Sequence, residues 1–268
     1  MCEKGRVSKR VFFTKILENI EIAEGVYLMK LKYPESESVK AKAGQFVNLY
    51  LNREDMLLPR PISICRIQED MITLVYGVVG KGTAELKSYI PGVMIKVSSA
   101  LGNGYNLSAG GHKQAVLVGG GIGIPPLLEL SYRLMAMGVA TRIILGFKND
   151  PFLVEKFRET GGQVYVATDS GSHGFHGNVL DLIKNSELEK VIGDVCFACG
   201  PIPMLKGLNL YLEKMEIDYQ VSLEERMGCG FGSCLSCVCK IGTKSGIVQR
   251  RVCKDGPVFD GRQVIWDA

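Results

Sequence analysis

The chain has 268 residues, 46% apolar and 22% charged, with 32 Lys and Arg against 28 Asp and Glu for a formal net charge of +4. This is length enough for two compact domains and a smaller appendage, and the 32 Gly gather in short runs, so collagen-like and low-complexity chains are excluded. Nucleic-acid binding is disfavoured because the richest basic stretch, Lys240 to Lys254, is short and lacks aromatics, and membrane spanning because the apolar stretch from Ala115 to Leu130 is broken by three consecutive Gly, two Pro and Glu129.

The first ten residues, Met1 to Arg10, are polar and basic, with no apolar h-region behind them, so no signal peptide is expected and the location expected is cytoplasmic. Nine Cys in a reducing compartment argue for metal or redox roles rather than disulfides. From Val11 to about Leu101 the pattern is strand-like: Val26 to Lys32, Phe46 to Leu51, then Ile62 to Ile67 and Met71 to Val79 around a Gln68-Glu69-Asp70 turn. Recurrent Pro and Gly separate these runs, which predicts a small antiparallel β-barrel over residues 1–101 with one short helix, Thr83 to Tyr89.

Residues 102–218 read differently. The apolar strand Ala115 to Val118 leads into Gly119-Gly120-Gly121-Ile122-Gly123-Ile124-Pro125-Pro126, then a helix to about Met137. Strands Thr141 to Gly146, Gln163 to Ala167 and Asp194 to Ala198 alternate with helices Phe152 to Glu159, Val179 to Ile183 and Met204 to Met215. That alternation predicts an α/β domain with a parallel sheet covered on both faces. Beyond about Asp218 the periodicity stops, and residues 219–268 read as a small segment that needs cross-links a metal centre would supply.

In that segment Cys229, Cys234 and Cys237 give C-x4-C-x2-C, with Cys253 following after fifteen intervening residues, the spacing of a plant-type two-iron centre. Gly228, Gly230, Gly232 and Ser233 let the backbone wrap a small cluster and offer N–H groups to sulphur. A structural zinc site, using Cys234 and Cys237 with Cys239 or Cys253, is the alternative, and Cys239 is the ambiguous thiol.

A strand entering Gly119, Gly120, Gly121, Ile122 and Gly123 and then a helix is a place where phosphate meets backbone N–H groups, or else a tight packing turn. It departs from the dinucleotide fingerprint, and no acidic residue stands at the end of the next strand, where Gly146-Phe147-Lys148 is found. A one-electron centre calls for an organic partner that interconverts hydride and single electrons, and flavin does that. By residue type the flavin segment is Arg60-Pro61-Ile62-Ser63, with Gly82-Thr83 a second phosphate-sized nest. Cys199, before Gly200-Pro201 at a strand end, lines a nicotinamide pocket or is simply buried; His173 and His176 lack a carboxylate cluster that would make them metal ligands; Cys2, Cys65 and Cys196 are ordinary.

Together these segments resemble the electron transfer subunits of type B dihydroorotate dehydrogenases, within the ferredoxin reductase-like flavoprotein group. The resemblance covers nearly the whole chain. It rests on Arg60 to Ser63, Leu101-Gly102-Asn103-Gly104, Gly119 to Leu127, Ala167-Thr168-Asp169, Cys199-Gly200-Pro201, Glu225 to Gly230 and Val252 to Phe259. It implies a barrel that binds FAD through Arg60, Pro61, Ile62, Ser63, Val75, Tyr76, Gly77, Gly82 and Thr83, a central domain that binds NAD, and a [2Fe–2S] centre on Cys229, Cys234, Cys237 and Cys253. Relatives often carry Arg where Gly77 stands. The resemblance further implies a partner, an FMN-containing catalytic subunit, two copies of each subunit, and a route from dihydroorotate through FMN, [2Fe–2S] and FAD to NAD+, in pyrimidine biosynthesis. Competing expectations are a subunit of a flavin-based NAD(P)H:ferredoxin oxidoreductase or sulphide dehydrogenase and, in another class, a zinc-stapled interaction protein.

Overall fold

The computed structural model describes residues 10–107, 111–185, 193–215 and 217–266. Cys2 therefore lies outside the described residues.

Eight elements make the first body: β1 (Val11–Ala23), β2 (Val26–Lys32), α1 (Glu35–Ser38), β3 (Phe46–Tyr50), β4 (Arg60–Gln68), β5 (Met71–Gly77), α2 (Lys81–Lys87) and β6 (Met94–Ser98). The strands close into an antiparallel barrel in the order β1-β2-β5-β4-β3-β6, as the short, Pro- and Gly-separated runs predict. Its interior is filled by alternate residues, among them Ile16, Met29, Leu31, Val47, Leu49, Ile64, Ile72, Leu74 and Val97, all fully buried. Helix α2 starts two residues earlier than the expected Thr83. Thr83 sits inside the first turn, where its hydroxyl accepts the N–H groups of Val79 (3.0 Å) and Gly80 (3.3 Å) and so caps the helix from within.

The second body follows: β7 (Gln114–Gly120), a 3-10 turn (Gly121–Gly123), α3 (Pro125–Ala136), β8 (Ala140–Phe147), α4 (Val154–Arg158), β9 (Gln163–Thr168), β10 (Phe175–His176), α5 (Val179–Asn185), β11 (Val195–Cys199) and α6 (Ile202–Leu212). Along β7, Ala115 and Leu117 pack with α3 and α4 while Val116 and Val118 pack with α5 and α6, which is the two-faced burial of a covered parallel sheet.

Beyond residue 217 the chain holds more structure than its pattern indicates. β12 (Asp218–Ser222) pairs in parallel with β11. The hairpin β13 (Val238–Thr243) and β14 (Gly246–Arg251) runs into the one-turn helix α7 (Val252–Asp255), and β15 (Val258–Asp260) then returns antiparallel to β12. The sheet order is β10-β9-β8-β7-β11-β12-β15, so the cysteine segment is anchored at both ends in the sheet of the second body. Strands of five and three residues are too short to carry a readable alternation, and β12 and β15 recognise each other across the whole cysteine loop.

Candidate functional site

The loop between β12 and β13 carries Cys229, Cys234 and Cys237, and α7 carries Cys253. The four thiols fall into two pairs. Cys229 and Cys234 are near enough for each to influence the other's ionisation, while the Cys234 thiol donates to the Ser236 hydroxyl at 3.5 Å. Cys253 donates its N–H to Cys237 Sγ at 3.5 Å, its thiol bonds that of Cys237, and Cys229 is close enough to act on it electrostatically. Two adjacent thiol pairs are the donor set of a two-iron unit, two to each iron. Among the described residues no group of three or more His, Cys, Asp or Glu converges on a single point.

At Cys229 and Cys234 the surroundings favour thiolate. Burial raises the Cys229 thiol, but N–H groups of Cys234, Phe231 and Ser233 (3.3 Å from Ser233) outweigh it and hold the group below its ordinary value. The hydroxyl and N–H of Ser236, helped by Cys229, bring Cys234 down to about 6. Burial and the neighbouring Cys237 push Cys253 up to about 12. Cys239, on β13, is pushed up to about 11 by burial and by Glu225; it feels Cys237 but stands outside both pairs. The wrap is tied down by Arg251, whose guanidinium pairs with Asp255 (3.0 Å) and donates to the Gly232 carbonyl (3.2 Å).

Two motifs far apart in sequence meet beside this loop. Asn103 donates to the carbonyls of Val258 (2.8 Å) and Asp255 (3.2 Å) through its amide nitrogen, and accepts the Val258 N–H (3.2 Å) through its amide oxygen. The linker between the first two bodies is thereby stitched to the segment that carries Cys253.

On the barrel, Arg60 opens β4 and donates to the Leu58 carbonyl at 2.7 Å. Its guanidinium lies directly on Gly82 in the first turn of α2: a Cβ there would sit 1.7 Å from Arg60 Nε. A cation, a capped helix start and a glycine are thus gathered at one spot, a cradle suited to phosphate. Register pairs Pro61 with Asn48 and Ser63 with Phe46, so Pro61 and Ser63 stand on the outer barrel face and Ile62, opposite Val47, on the other. Val75 and Tyr76 are buried, and the Tyr76 hydroxyl donates to Asn19 Oδ1 at 2.9 Å, which leaves their backbone rather than their side chains for a ligand. Gly77 closes β5, and the nearest side chain from the second body is Ile122, whose Cδ1 would lie 3.9 Å from a Cβ at Gly77.

That contact brings the glycine turn of the second body to the edge of the flavin segment. The turn sits between β7 and β11, where the strand order reverses and open sheets receive ligands. Gly123 is pressed against Cys199 and Gly200, a Cβ there falling 2.5 Å from Gly200 N, whereas Gly121 (φ +52°) faces open space and Ile122 is exposed. The turn is therefore part packing device and part open backbone. Cys199 is half-buried beside it, raised to about 12 by burial. His173 lies on the loop after β9, its Nδ1 3.2 Å from the Ser172 hydroxyl, His176 ends β10 opposite Thr168, and no metal-binding group forms around them among the described residues. Cys65 and Cys196 are core thiols. The residue missed in the sequence is Asn48, a buried amide that donates to the Cys229 carbonyl at 3.0 Å. Its one signal is an Asn in the middle of the apolar run Phe46 to Tyr50.

Among the described residues no helix is long and apolar enough to cross a membrane. Residues 224–265 match the family model described as the iron–sulphur cluster binding domain of dihydroorotate dehydrogenase B. Over 257 residues the chain is 42% identical to the dihydroorotate dehydrogenase B (NAD(+)) electron transfer subunit of Geobacillus sp. (strain WCH70), covering 93% of this chain and 96% of that one. The same-named subunit of Caldanaerobacter subterraneus subsp. tengcongensis is 39% identical, with 94% and 97% covered. Among solved structures, a chain of an NADH-dependent reduced ferredoxin-NADP oxidoreductase, studied for flavin-based electron bifurcation, superposes with a TM-score of 0.83 at 31% identity, covering 95% of this chain and 90% of that chain. A ferredoxin NADP+ reductase from Neisseria gonorrhoeae with bound FAD and NADP shares the fold alone, with a TM-score of 0.65 at 19% identity over 77% of this chain and 92% of that one.

Proposed function

The chain belongs to the family of electron transfer subunits of dihydroorotate dehydrogenase B (NAD(+)), and from that membership we propose that it carries electrons from the FMN of a catalytic partner, which oxidises dihydroorotate to orotate in pyrimidine biosynthesis, through a [2Fe–2S] centre and FAD to NAD+. The observation that carries this reading is the gathering of Cys229, Cys234, Cys237 and Cys253 in the segment matched to the cluster-binding domain, where the Cys253 N–H donates to Cys237 Sγ at 3.5 Å.

Each residue then has a task. The two thiol pairs hold the two irons, and the N–H groups of Phe231, Ser233 and Cys234 stabilise the charge on Cys229. Arg60, Gly82 and Thr83 hold the flavin phosphates, and Pro61, Ser63 and the backbone of Val75 to Gly77 line its ring system. FAD supplies the exchange between single electrons and a hydride. Gly121 and Ile122 hold the nicotinamide nucleotide with open backbone and apolar cover, Gly119, Gly120 and Gly123 shape the turn, and Cys199 closes the floor. Phe231 and Leu235, 53% and 61% exposed on the cysteine loop, supply an apolar surface on which the catalytic subunit docks close to the centre. An assembly of two copies of each subunit, in the cytoplasm, is the arrangement proposed.

Anaerobic capture of the native partner, followed by a dihydroorotate:NAD+ assay and metal analysis, tests the reading. Two irons and two acid-labile sulphides per FAD are expected. One zinc without labile sulphide would sink it. The likeness to the bifurcating oxidoreductase chain supports a second reading, a subunit of such a complex, and capture of a larger subunit rich in further clusters would favour that instead.

A further inference from the structure

Strand β3 carries a fully buried polar side chain, Asn48, between Val47 and Leu49. Val47 and Leu49 belong to the barrel core, so by alternation Phe46 and Asn48 face outward. The cysteine segment covers that outer face. Phe46 packs in the same core as Cys237 and Cys253, and Asn48 Nδ2 donates to the Cys229 carbonyl at 3.0 Å, a bond between residues 181 positions apart. Gly230, the next residue, takes φ +76° and comes so close that a Cβ would lie 2.4 Å from Nδ2 and 2.7 Å from Oδ1.

The same face carries the flavin segment. Asn48 stands opposite Pro61 and Phe46 opposite Ser63, and directly opposed residues of an antiparallel pair project to one side. The backbone of Asn48 is fixed as well, its N–H donating to Ser98 Oγ at 2.9 Å. Asn48 Oδ1, by contrast, is buried without a hydrogen-bond partner among the described residues. An unpaired buried amide oxygen is unfavourable, and a Leu of similar size would avoid it. The amide at this position is therefore not explained by packing; what it provides that Leu cannot is the donor bond to the Cys229 loop.

We propose that Asn48 is a positioning residue for electron passage between the cysteine-held centre and the flavin. It ties the ligand loop at Cys229 to the barrel face that carries Pro61 and Ser63, and so fixes the separation of the two redox sites. This rests on the reading that the thiols hold a [2Fe–2S] centre and that the Arg60 to Ser63 segment holds FAD.

The test uses the complete, cofactor-loaded complex as wild type, Asn48→Leu and Asn48→Asp. NADH is added anaerobically; flavin bleaching is followed by stopped flow and the reduced centre by freeze-quench EPR. Both variants are expected to keep their iron, sulphide and FAD and to bleach flavin at the wild-type rate. Their EPR signal is expected to appear several-fold more slowly, with shifted g values. Unchanged signal rate and g values overturn the proposal. Loss of iron and sulphide in both variants also overturns it, since Asn48 would then hold the loop fold and nothing finer. Asn48→Asp, which keeps the shape and removes the donor, decides alone if only Asn48→Leu loses its centre. A wild-type complex without the EPR signal overturns the underlying reading, and the proposal with it.

Discussion

Glu129, fully buried on α3, accepts the Arg66 guanidinium at 2.5 Å and the Ile67 N–H at 2.9 Å on one carboxylate oxygen, both from β4 of the barrel. Its other oxygen accepts Arg133 Nε at 2.6 Å, and the Arg66 guanidinium lies 3.9 Å above the Tyr132 ring. Helix α3 is the helix that leaves the glycine turn. This carboxylate therefore ties the helix that follows the glycine turn to strand β4 of the barrel.

Breaking a buried pair by removing one partner costs more than the pair contributes, because a charge or donor is stranded. Glu129→Ala strands the Ile67 N–H and frees Arg66, which is 29% exposed and can turn to water, so a loss of about 3 kcal/mol is expected, at the low end for such pairs. Arg133→Ala, at a half-exposed partner, should cost under about 1 kcal/mol. Urea unfolding of the FAD-replete protein measures both, and equal effects would refute the assignment of Glu129 as the inter-body tie.

The barrel and the parallel sheet were legible because alternation of two and the strand–helix rhythm are local. The cysteine centre was legible for a different reason, since ligand spacing is written directly in the chain. What stayed hidden depends on residues that meet only after folding. Val221 pairs with Phe259 across the whole cysteine loop, and Asn48 reaches Cys229 across 181 positions. The glycine turn is an intermediate case: its composition suggests phosphate, yet Gly123 is there because Gly200 leaves no room for a side chain, which a single sequence does not reveal.

Gly82 and Gly77 separate close approach from mere smallness. A methyl at Gly82 would overlap Arg60 Nε at 1.7 Å and must displace the guanidinium from the cradle. Gly82→Ala is expected to weaken FAD binding by at least tenfold, about 1.4 kcal/mol. A methyl at Gly77 meets nothing nearer than 3.8 Å, so Gly77→Ala should bind FAD within about threefold of wild type, under about 1 kcal/mol. Flavin titration of the deflavinated protein compares the two.

Leu235 is exposed and held at φ +59°, a conformation that costs a branched residue about 1 kcal/mol. Leu235→Gly should relieve the strain and leave cluster content intact while weakening the complex with the catalytic subunit by about 1–2 kcal/mol, and Phe231→Ala should weaken it similarly. Titration calorimetry or co-elution at graded concentrations reads the loss; unchanged affinity in both would move the docking surface away from the cysteine loop.

The fourth ligand of the centre is the sharpest choice the structure allows. Cys253 shares hydrogen bonds with Cys237 and lies within electrostatic reach of Cys229, whereas Cys239 sits on β13, opposite Arg250, outside both thiol pairs. Exchange of sulphur for a hydroxyl oxygen removes a thiolate ligand but barely changes packing, so Cys253→Ser should lose most of its iron and labile sulphide, as should Cys229→Ser, Cys234→Ser and Cys237→Ser. Cys239→Ser should keep both at wild-type levels, because a half-buried thiol with no ligand role is replaced by a group of similar size. FAD content serves as the internal control: the Arg60 and Gly82 cradle lies on the barrel, so cluster loss alone should leave it near one per chain. If Cys239→Ser strips the iron while Cys253→Ser retains it, the wrap must close on β13 instead of α7, and the two-pair geometry would have to be abandoned.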